Sequence, residues 1–267
     1  MHHYKASNAA KKVYSVINSL KGMLTSSSIV FLSGCASLAE DSKLANSGRL
    51  TESPWALTAP SGTQPALWQH LGFPGKRLSK FNYVLNESRP AIHAAAQSSA
   101  SMLRHPLRVS PSELGQLKFS WKLPELIQHA DMSLREFDDS PVRVVLAFEG
   151  DRSKFTPKNA MLSELAHALT GEPMPYATLM YVWCNDCKPG DVIVNPHTDR
   201  IRKLPLESGS GKLNQWMDYE RTVRDDFVKA FGEEPGMLTS ISIMTDTDNT
   251  KSMARAWYGP VQLIAKP

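Results

Sequence analysis

Side chains that could bind a cation gather just after an apolar stretch near the end of this chain. Asp246, Asp248 and Asn249 offer the oxygen atoms that calcium binds, and calcium takes roughly 6–8 of them. The EF-hand spacing is not met, because Lys251 stands at the position where that loop needs glycine. Two readings stay open: a calcium site of another kind, or an Asx-turn network in which these side chains bond to their own backbone.

A second polar cluster joins Asp138 and Asp139 to Arg143, which lies inside the apolar stretch 142–148. A charge buried in a strand needs a partner. The cluster therefore either fastens a loop to the strand or forms a surface that binds a sugar or an ion. Convergence of Asp138, Arg143 and Asp246 in space would favour the binding surface.

Aromatic residues supply a third candidate surface. Tyr181 and Trp183 are two residues apart and share one face of a predicted strand. On an exposed concave face they would stack on sugar rings, whereas buried they belong to the core. The same question applies to Trp121 and Trp257.

Hydrolysis of a glycoside would need two carboxyl groups about 5–5.5 Å apart for retention, or about 6.5–9.5 Å apart for inversion. Asp139, Glu149 and Asp246 are candidates, but a sequence does not set their separation. The chain has no nucleophile elbow, P-loop, Rossmann fingerprint or zinc-protease motif. We therefore assign no catalytic residues and favour a non-catalytic role.

Two cysteines lie close together in the second half of the chain. A thioredoxin-like centre would open a helix after Cys184 and Cys187, but Pro189 and Gly190 indicate a turn. Together with His197 the pair would make a poor zinc site, because a closed site needs about four ligands. In an oxidising compartment we expect a local disulfide between them.

The stretch Leu32-Ser33-Gly34-Cys35 resembles the lipobox of bacterial lipoproteins, in which cleavage precedes a cysteine that then carries diacylglycerol. Residues 1–34 hold four lysines and no acidic residue, as expected for a signal peptide. The apolar stretch 23–32 is too short to span a membrane, which takes roughly 20 residues. We therefore predict a lipoprotein-type signal peptide over 1–34 and lipidation of Cys35.

This leader bears on location and partners. Ala36 stands after the cysteine in place of aspartate, which by analogy favours the outer membrane facing the periplasm. Residues 35–66 are rich in Ser, Ala, Thr and Pro and are expected to form a flexible tether. Residues 67–267 then form one domain. Beyond the leader, 26 basic residues (30 − 4) balance 26 acidic ones, so we expect no nucleic-acid partner.

Short apolar runs separated by Pro, Gly, Asn and Asp dominate the domain, and Leu117–Leu123 alternates strictly. The pattern predicts a mainly antiparallel, all-β sandwich or jelly roll with one or two peripheral helices. The predicted helices are Ala160–Leu169 and Tyr219–Phe231, the second with apolar residues at four-residue steps. The predicted strands are Phe81–Leu85, Ala91–Ala96, Ser99–Arg104, Leu117–Leu123, Val142–Glu149, Thr178–Cys184, Asp191–Val194, Ile201–Leu206, Leu238–Thr245 and Trp257–Ile264.

A series of short motifs runs along the domain in a fixed order. The motifs are Ser98–Ser101, Phe119–Lys122, Asp138–Arg143, Leu179–Trp183, Arg221–Asp226, Met244–Thr250 and Ala256–Gly259. From Trp68 to about Leu263 the chain thereby resembles the bacterial domain-of-unknown-function 3047 family. The resemblance implies a β-sandwich similar to galactose-binding jelly rolls. It implies no reaction, so it transfers no catalytic residues.

These observations predict a cell-envelope lipoprotein whose β-sandwich binds a glycan or another envelope component without catalysis. The enzyme alternative is a carbohydrate-active hydrolase that uses the carboxylates of the two aspartate loops. A third alternative is a scaffold that contacts envelope proteins, which a large exposed apolar patch without a pocket would favour.

Overall fold

The computed structural model describes residues 68–264. The predicted signal peptide over 1–34, the lipidation site Cys35 and the predicted tether over 35–66 lie outside the described residues. Within 68–264 no helix combines the length and the apolar character needed to cross a membrane.

The described chain contains thirteen strands. In chain order they are β1 (Gln69–Gly72), β2 (Lys80–Asn86), β3 (Arg89–Gln97), β4 (Ser101–Val109), β5 (Gln116–Lys122), β6 (Ser140–Phe148), β7 (Ala177–Cys184), β8 (Ile193–Val194), β9 (Ile201–Ser208), β10 (Met217–Thr222), β11 (Leu238–Asp246), β12 (Met253–Tyr258) and β13 (Gln262–Ile264).

The strands form two sheets. Sheet A follows the order β1-β4-β11-β6-β7-β9-β8, and sheet B follows the order β10-β5-β12-β3-β2, with β13 paired to β5. Neighbouring strands are antiparallel except β7 and β9, which run parallel. The predicted all-β, mainly antiparallel sandwich is therefore confirmed.

One apolar core lies between the two sheets. In β6 the side chains of Val142, Val144 and Leu146 belong to this core, so Arg143 and Val145, which alternate with them, face the opposite side of sheet A. Residues 117–123 alternate as predicted. The same core contains every second side chain of this stretch: Leu117, Phe119 and Trp121 of β5, and Leu123 directly after it. Each sheet thus has an inner face, which lines the core, and an outer face.

Two helices connect the strands. Helix α1 (Pro157–Thr170) begins after Thr156, whose hydroxyl accepts a hydrogen bond from the backbone N–H of Asn159. Helix α2 (Val223–Phe231) ends at Gly232, whose φ of 70° is a left-handed conformation that glycine adopts easily. Both predicted helices are therefore present, with shifted bounds.

The predicted start of the second helix at Tyr219 is wrong. Tyr219 lies in β10, which pairs along its whole length with β5. Its ring packs on Phe119 and Trp121 of that strand. The strand pairing overrides the four-residue periodicity here, while Val223 and Phe227 keep their predicted buried places in the helix.

Candidate functional site

A buried network of ion pairs lies on the outer face of sheet A. Arg143 donates from Nε to Oδ1 of Asp246 at 2.8 Å and from Nη2 to Oδ2 of Asp246 at 3.0 Å. The same Nη2 donates to Oδ1 of Asp138 at 3.2 Å, and Nζ of Lys203 donates to that oxygen at 2.6 Å. Asp138, Arg143 and Asp246 therefore do converge in space.

Residues 130–139, here called the covering segment, close this part of sheet A. Met132 of the segment packs with Val182 and Cys184 on the outer face. Its carbonyl oxygen accepts a 2.8 Å hydrogen bond from Nζ of Lys203. Apolar contact and ion pairing together hold the segment on the sheet and keep water away from the charges.

Asp139 and Asp248 extend the network to the loop that follows β11. Asp139 accepts hydrogen bonds from the backbone N–H groups of Asn249 at 3.2 Å and Thr250 at 2.7 Å. Asp248 forms an ion pair with Lys76. The side-chain amide of Asn249 donates to a carbonyl oxygen of the covering segment at 2.6 Å. The loop and the segment are thus fastened to each other.

Three groups in this network have shifted pKa values. Burial raises the pKa of the Asp246 carboxyl to about 6, against the opposing effect of Arg143. Burial lowers the pKa of Lys203 to about 8; Arg143 adds to this effect and Asp138 opposes it. For Arg143, burial acts to lower the pKa, but Asp246 and Asp138 outweigh it and hold the pKa above its ordinary value. Asp246 and Lys203 are therefore the members whose charge is most sensitive to pH.

Asp139, Asp246 and Asp248 have a spacing that a cation could use, because one oxygen from each lies within 4.8 Å of the others. Protein donors already use these carboxylates. Arg143 holds both oxygens of Asp246, and Lys76 neutralises Asp248. Calcium would need roughly 6–8 oxygen ligands in place of such contacts. The arrangement therefore fits a structural network better than a calcium site.

The expectation that Asp138, Asp139 and Arg143 present a ligand-binding surface needs correction. Asp139 and Arg143 are buried, and only 9% of the Asp138 side chain is exposed. Their polar atoms point at one another and at Lys203 because a charge inside the fold is stable only when it is paired. Asp138, Arg143 and Asp246 do converge, as the binding surface required, but they converge on one another inside the fold, and this burial supports the loop-fastening reading of the cluster.

Tyr181 and Trp183 also differ from the expected sugar platform. Both side chains are buried in the core between the sheets. The hydroxyl of Tyr181 donates to Asp226 at 2.8 Å, and the indole N–H of Trp183 donates to the carbonyl oxygen of Gly209 at 2.9 Å. Their shared face is the inner face of sheet A, so neither ring can meet a ligand.

Cys184 and Cys187 form a disulfide, with their Cα atoms 6.1 Å apart. A cavity of about 160 Å³ lies beside it, and Asp139 and Trp183 contribute to its wall. Ligand pockets usually measure roughly 300–1,000 Å³. This cavity is therefore too small for a sugar chain.

No segment of residues 68–264 covers the outer face of sheet B around Trp257 and His93, which are both partly exposed. Strand register places Trp257 beside His93, and His93 beside Asn82, in one row across three strands. The rings of Trp257 and His93 lie 5.2 Å apart and are tilted by 32°. Both side chains are partly exposed, unlike the tryptophans of the core. This row, here called the aromatic row, gives the sheet a partly exposed aromatic surface.

The next row along the same strands carries charge. Arg255 lies beside Ala95, and Ala95 lies beside Lys80. These residues line a groove of about 480 Å³, to which Arg77 and Glu125 also contribute. We call it the sheet B groove. Rows on one face of a strand are two residues apart, roughly 7 Å, so the groove and the aromatic row are adjacent.

Sequence reasoning pointed to Trp257 but missed Lys80, His93 and Arg255. The available signal was the alternation in β12, where the small residues Ala254 and Ala256 are buried and their neighbours are not. Such a pattern indicates a strand with one solvated face. It does not indicate which strands lie beside it, and hence which side chains form the rows.

The molecule is thus a two-sheet β-sandwich with one closed outer face and one grooved outer face. The chain belongs to the family described as protein of unknown function (DUF3047), whose model matches residues 66–262. A comparison with curated proteins gave no match.

Two solved structures match the chain at a low level of similarity. One is the xyloglucanase domain of NopAA, a type three effector from Sinorhizobium fredii, in complex with cellobiose; it has 10% identity and a TM-score of 0.39 over 74% of this chain and 93% of that chain. The other is Trichoderma harzianum endoglucanase 3 from family GH12, with 10% identity and a TM-score of 0.38 over 78% of this chain and 99% of that chain. Similarity at this level does not indicate what this chain binds.

Proposed function

We propose that this protein is a non-catalytic, glycan-binding lipoprotein of the bacterial cell envelope, and that the outer face of sheet B binds the glycan. The observation that carries this proposal is the aromatic row lying next to the sheet B groove. A sugar ring has apolar C–H faces that stack on aromatic rings and hydroxyl groups that bond to polar side chains. The aromatic row offers the first contact, and Asn82 and Gln97 on the same sheet offer the second.

The groove suits an extended polymer better than a small enclosed ligand. Small-molecule sites usually bury most of their ligand within mainly apolar walls. The sheet B groove instead lies open on the outer face of the sheet, where exposed polar side chains such as Arg77, Lys80 and Gln97 stand beside the exposed apolar Leu78 and Met253. A polysaccharide lying on such a surface would keep one side in water.

A non-catalytic role is favoured over the hydrolase alternative. The carboxylates expected for a hydrolase lie at sheet A, where they accept hydrogen bonds from protein donors or form ion pairs with basic side chains. Those carboxylates belong to Asp138, Asp139, Asp246 and Asp248; the further candidate Glu149 is exposed and forms an ion pair with Arg108. A glycosidase needs a general acid and a second carboxylate exposed to substrate, and the buried network provides neither.

Affinity electrophoresis of the full chain through gels containing polysaccharides would test glycan binding. We expect retardation by at least one polysaccharide, and a loss of about tenfold or more in affinity for Trp257→Ala. Tyr83→Ala is the matched control, because Tyr83 is an exposed aromatic residue of the same sheet that pairs with the buried Ile92 and so lies on the inner side. Equal affinity in both variants would overturn the assignment of the surface.

The envelope location rests on the lipobox of the leader, with Cys35 as the acceptor. Metabolic labelling with an alkyne-bearing fatty acid should mark the wild-type protein in the membrane fraction of its bacterial host. Cys35→Ala should lose the label and leave that fraction. Labelling of Cys35→Ala at the wild-type level would overturn the lipoprotein part of the proposal.

A further inference from the structure

The sheet B groove differs from the rest of sheet B in how its charges are paired. Arg77, Lys80 and Arg255 line it, and no carboxylate of the described residues lies within ion-pair distance of any of the three. Elsewhere on sheet B the basic residues Arg89 and Lys122 do have acidic partners. Within sheet B, the two cationic residues without an acidic partner, Lys80 and Arg255, therefore both line this groove.

The strand register explains why the groove can admit a ligand between these cations. Arg255 and Lys80 lie on either side of Ala95, in β12 and β2 respectively. Adjacent strands are roughly 4.8 Å apart, so the two cationic residues stand roughly 10 Å apart across a floor made by a methyl group. Alanine at this position leaves room that a larger side chain would fill.

The charge of the groove indicates the charge of its ligand. Three cationic side chains against the single carboxylate of Glu125 leave two positive charges. Burial and the neighbouring Arg255 both lower the pKa of His93 in the adjacent row, so the imidazole there adds no charge at neutral pH. Guanidinium groups bind carboxylates through paired hydrogen bonds, and a lysine ammonium adds a further cationic contact.

We infer that the sheet B groove binds a polysaccharide that carries carboxylate groups, with Arg255 and Lys80 as the residues that select the acidic form. This inference rests on the proposed glycan-binding function and adds the substrate class. The aromatic row would hold the sugar rings, and the two cations would distinguish uronic acid units from neutral sugars of the same shape.

Polygalacturonate and its fully methyl-esterified form are suitable probes, because they share a backbone and differ in charge. Affinities of the full chain for both would be measured by biolayer interferometry at two salt concentrations. We expect the acid form to bind about tenfold or more tightly than the ester, with a preference that falls as salt rises. Arg255→Ala and Lys80→Ala should each reduce the preference severalfold, whereas Arg255→Lys should retain most of it.

Arg224→Ala is the matched control, because Arg224 is an exposed arginine on α2 that pairs with Glu234; it should leave the preference unchanged. Equal, Trp257-dependent binding of both polymers would overturn the inference and leave the proposed function intact. Binding of neither polymer, together with retardation by neutral glycans alone, would likewise overturn the inference. Equally tight binding to RNA or to vesicles of anionic lipid would also overturn it, because the groove would then attract any polyanion.

Discussion

The outer faces of the two sheets both carry charged side chains, but the two faces differ in whether those charges form ion pairs. On sheet A, Arg104, Arg108 and Arg143 each pair with a carboxylate, and the covering segment closes over the last of them. On sheet B, Arg255 and Lys80 face a groove and pair with no carboxylate of the described chain. These three arginines are therefore paired, whereas the two cations of the groove are exposed and unpaired.

The difference shows that a cluster of acidic and basic residues is not in itself evidence of a binding site. The network around Arg143 has the residue types of a sugar or calcium site, yet its members satisfy one another. Burial without water makes such mutual pairing necessary. Charged side chains are better evidence of a binding site where they are exposed, line a groove and have no ion-pair partner.

The largest expected effect comes from breaking the closed face. Arg143→Met should lower the free energy of unfolding by roughly 3–5 kcal/mol, because it leaves the buried carboxylate of Asp246 without its cation. Arg255→Met on the open face should change it by about 0.5 kcal/mol or less. Urea unfolding followed by circular dichroism measures both. Similar losses in the two variants would remove the distinction between the faces.

A pH-dependent effect should follow from Lys203. The folded pKa of this residue is about 8, below its ordinary 10.5, so between these values the unfolded chain holds a proton that the folded chain has lost. Stability should therefore rise from about pH 8 to about pH 10, by roughly 1–3 kcal/mol. The window ends there because the raised pKa values of Tyr219 and Tyr258 act in the opposite direction at higher pH.

Lys203→Met isolates this contribution. The difference in unfolding free energy between wild type and Lys203→Met should increase over the same pH window, since the variant lacks the group. A difference that stays constant between pH 8 and pH 10 would mean that Lys203 titrates normally and is not desolvated by the covering segment.

A smaller effect is expected from the disulfide at the end of β7. The loop closed by Cys184 and Cys187 spans a sequence separation of only 3 residues, so little entropy is removed from the unfolded chain. Cys184→Ala/Cys187→Ala should cost about 2 kcal/mol or less. Thermal unfolding with and without reductant provides the measurement, and failure of the double variant to fold would show that the disulfide has a larger role than chain entropy.

The smallest expected effect is that of calcium on the closed face. Because Arg143 and Lys76 already bind Asp246 and Asp248, the unfolding midpoint should be the same in millimolar calcium and in chelator. A ligand that binds only the folded state raises the midpoint. A clear rise with calcium that Asp248→Asn abolishes would contradict the structural reading and establish a cation site.

Much of the fold could be predicted because local patterns and tertiary packing agree. The strict alternation of Leu117–Leu123 and the continuous apolar run of β6 are properties of single strands, and the structure confirms both as strands. Strands β1 and β10 were not predicted, and the single strand predicted over Trp257–Ile264 is wrong, because β12 ends at Tyr258 and β13 begins at Gln262. β10 was missed because Tyr219 fits the period of a helix as well as that of a strand. Only the pairing of β10 with β5 shows that this segment is a strand.

The candidate site could be predicted far less well, because it depends on which strands are neighbours. Lys80, Ala95 and Arg255 are far apart in the chain and become one row only through the order β12-β3-β2. Burial is equally invisible in the sequence. Tyr181 and Trp257 look alike as aromatic strand residues, yet one is in the core and the other is partly exposed.

The most direct test of the central claim is an NMR titration of the ¹⁵N-labelled full chain with tetragalacturonate, an oligosaccharide of the acidic class inferred above. We predict that the shifted signals include the Trp257 indole, identified with a Trp257→Phe sample, and the backbone amides of 80–82, 93–97 and 253–257. The amides around Arg143 and Asp246 should not shift. Shifts confined to the covering segment and the Asp246 loop would contradict the account, because the closed face would then be the one that binds.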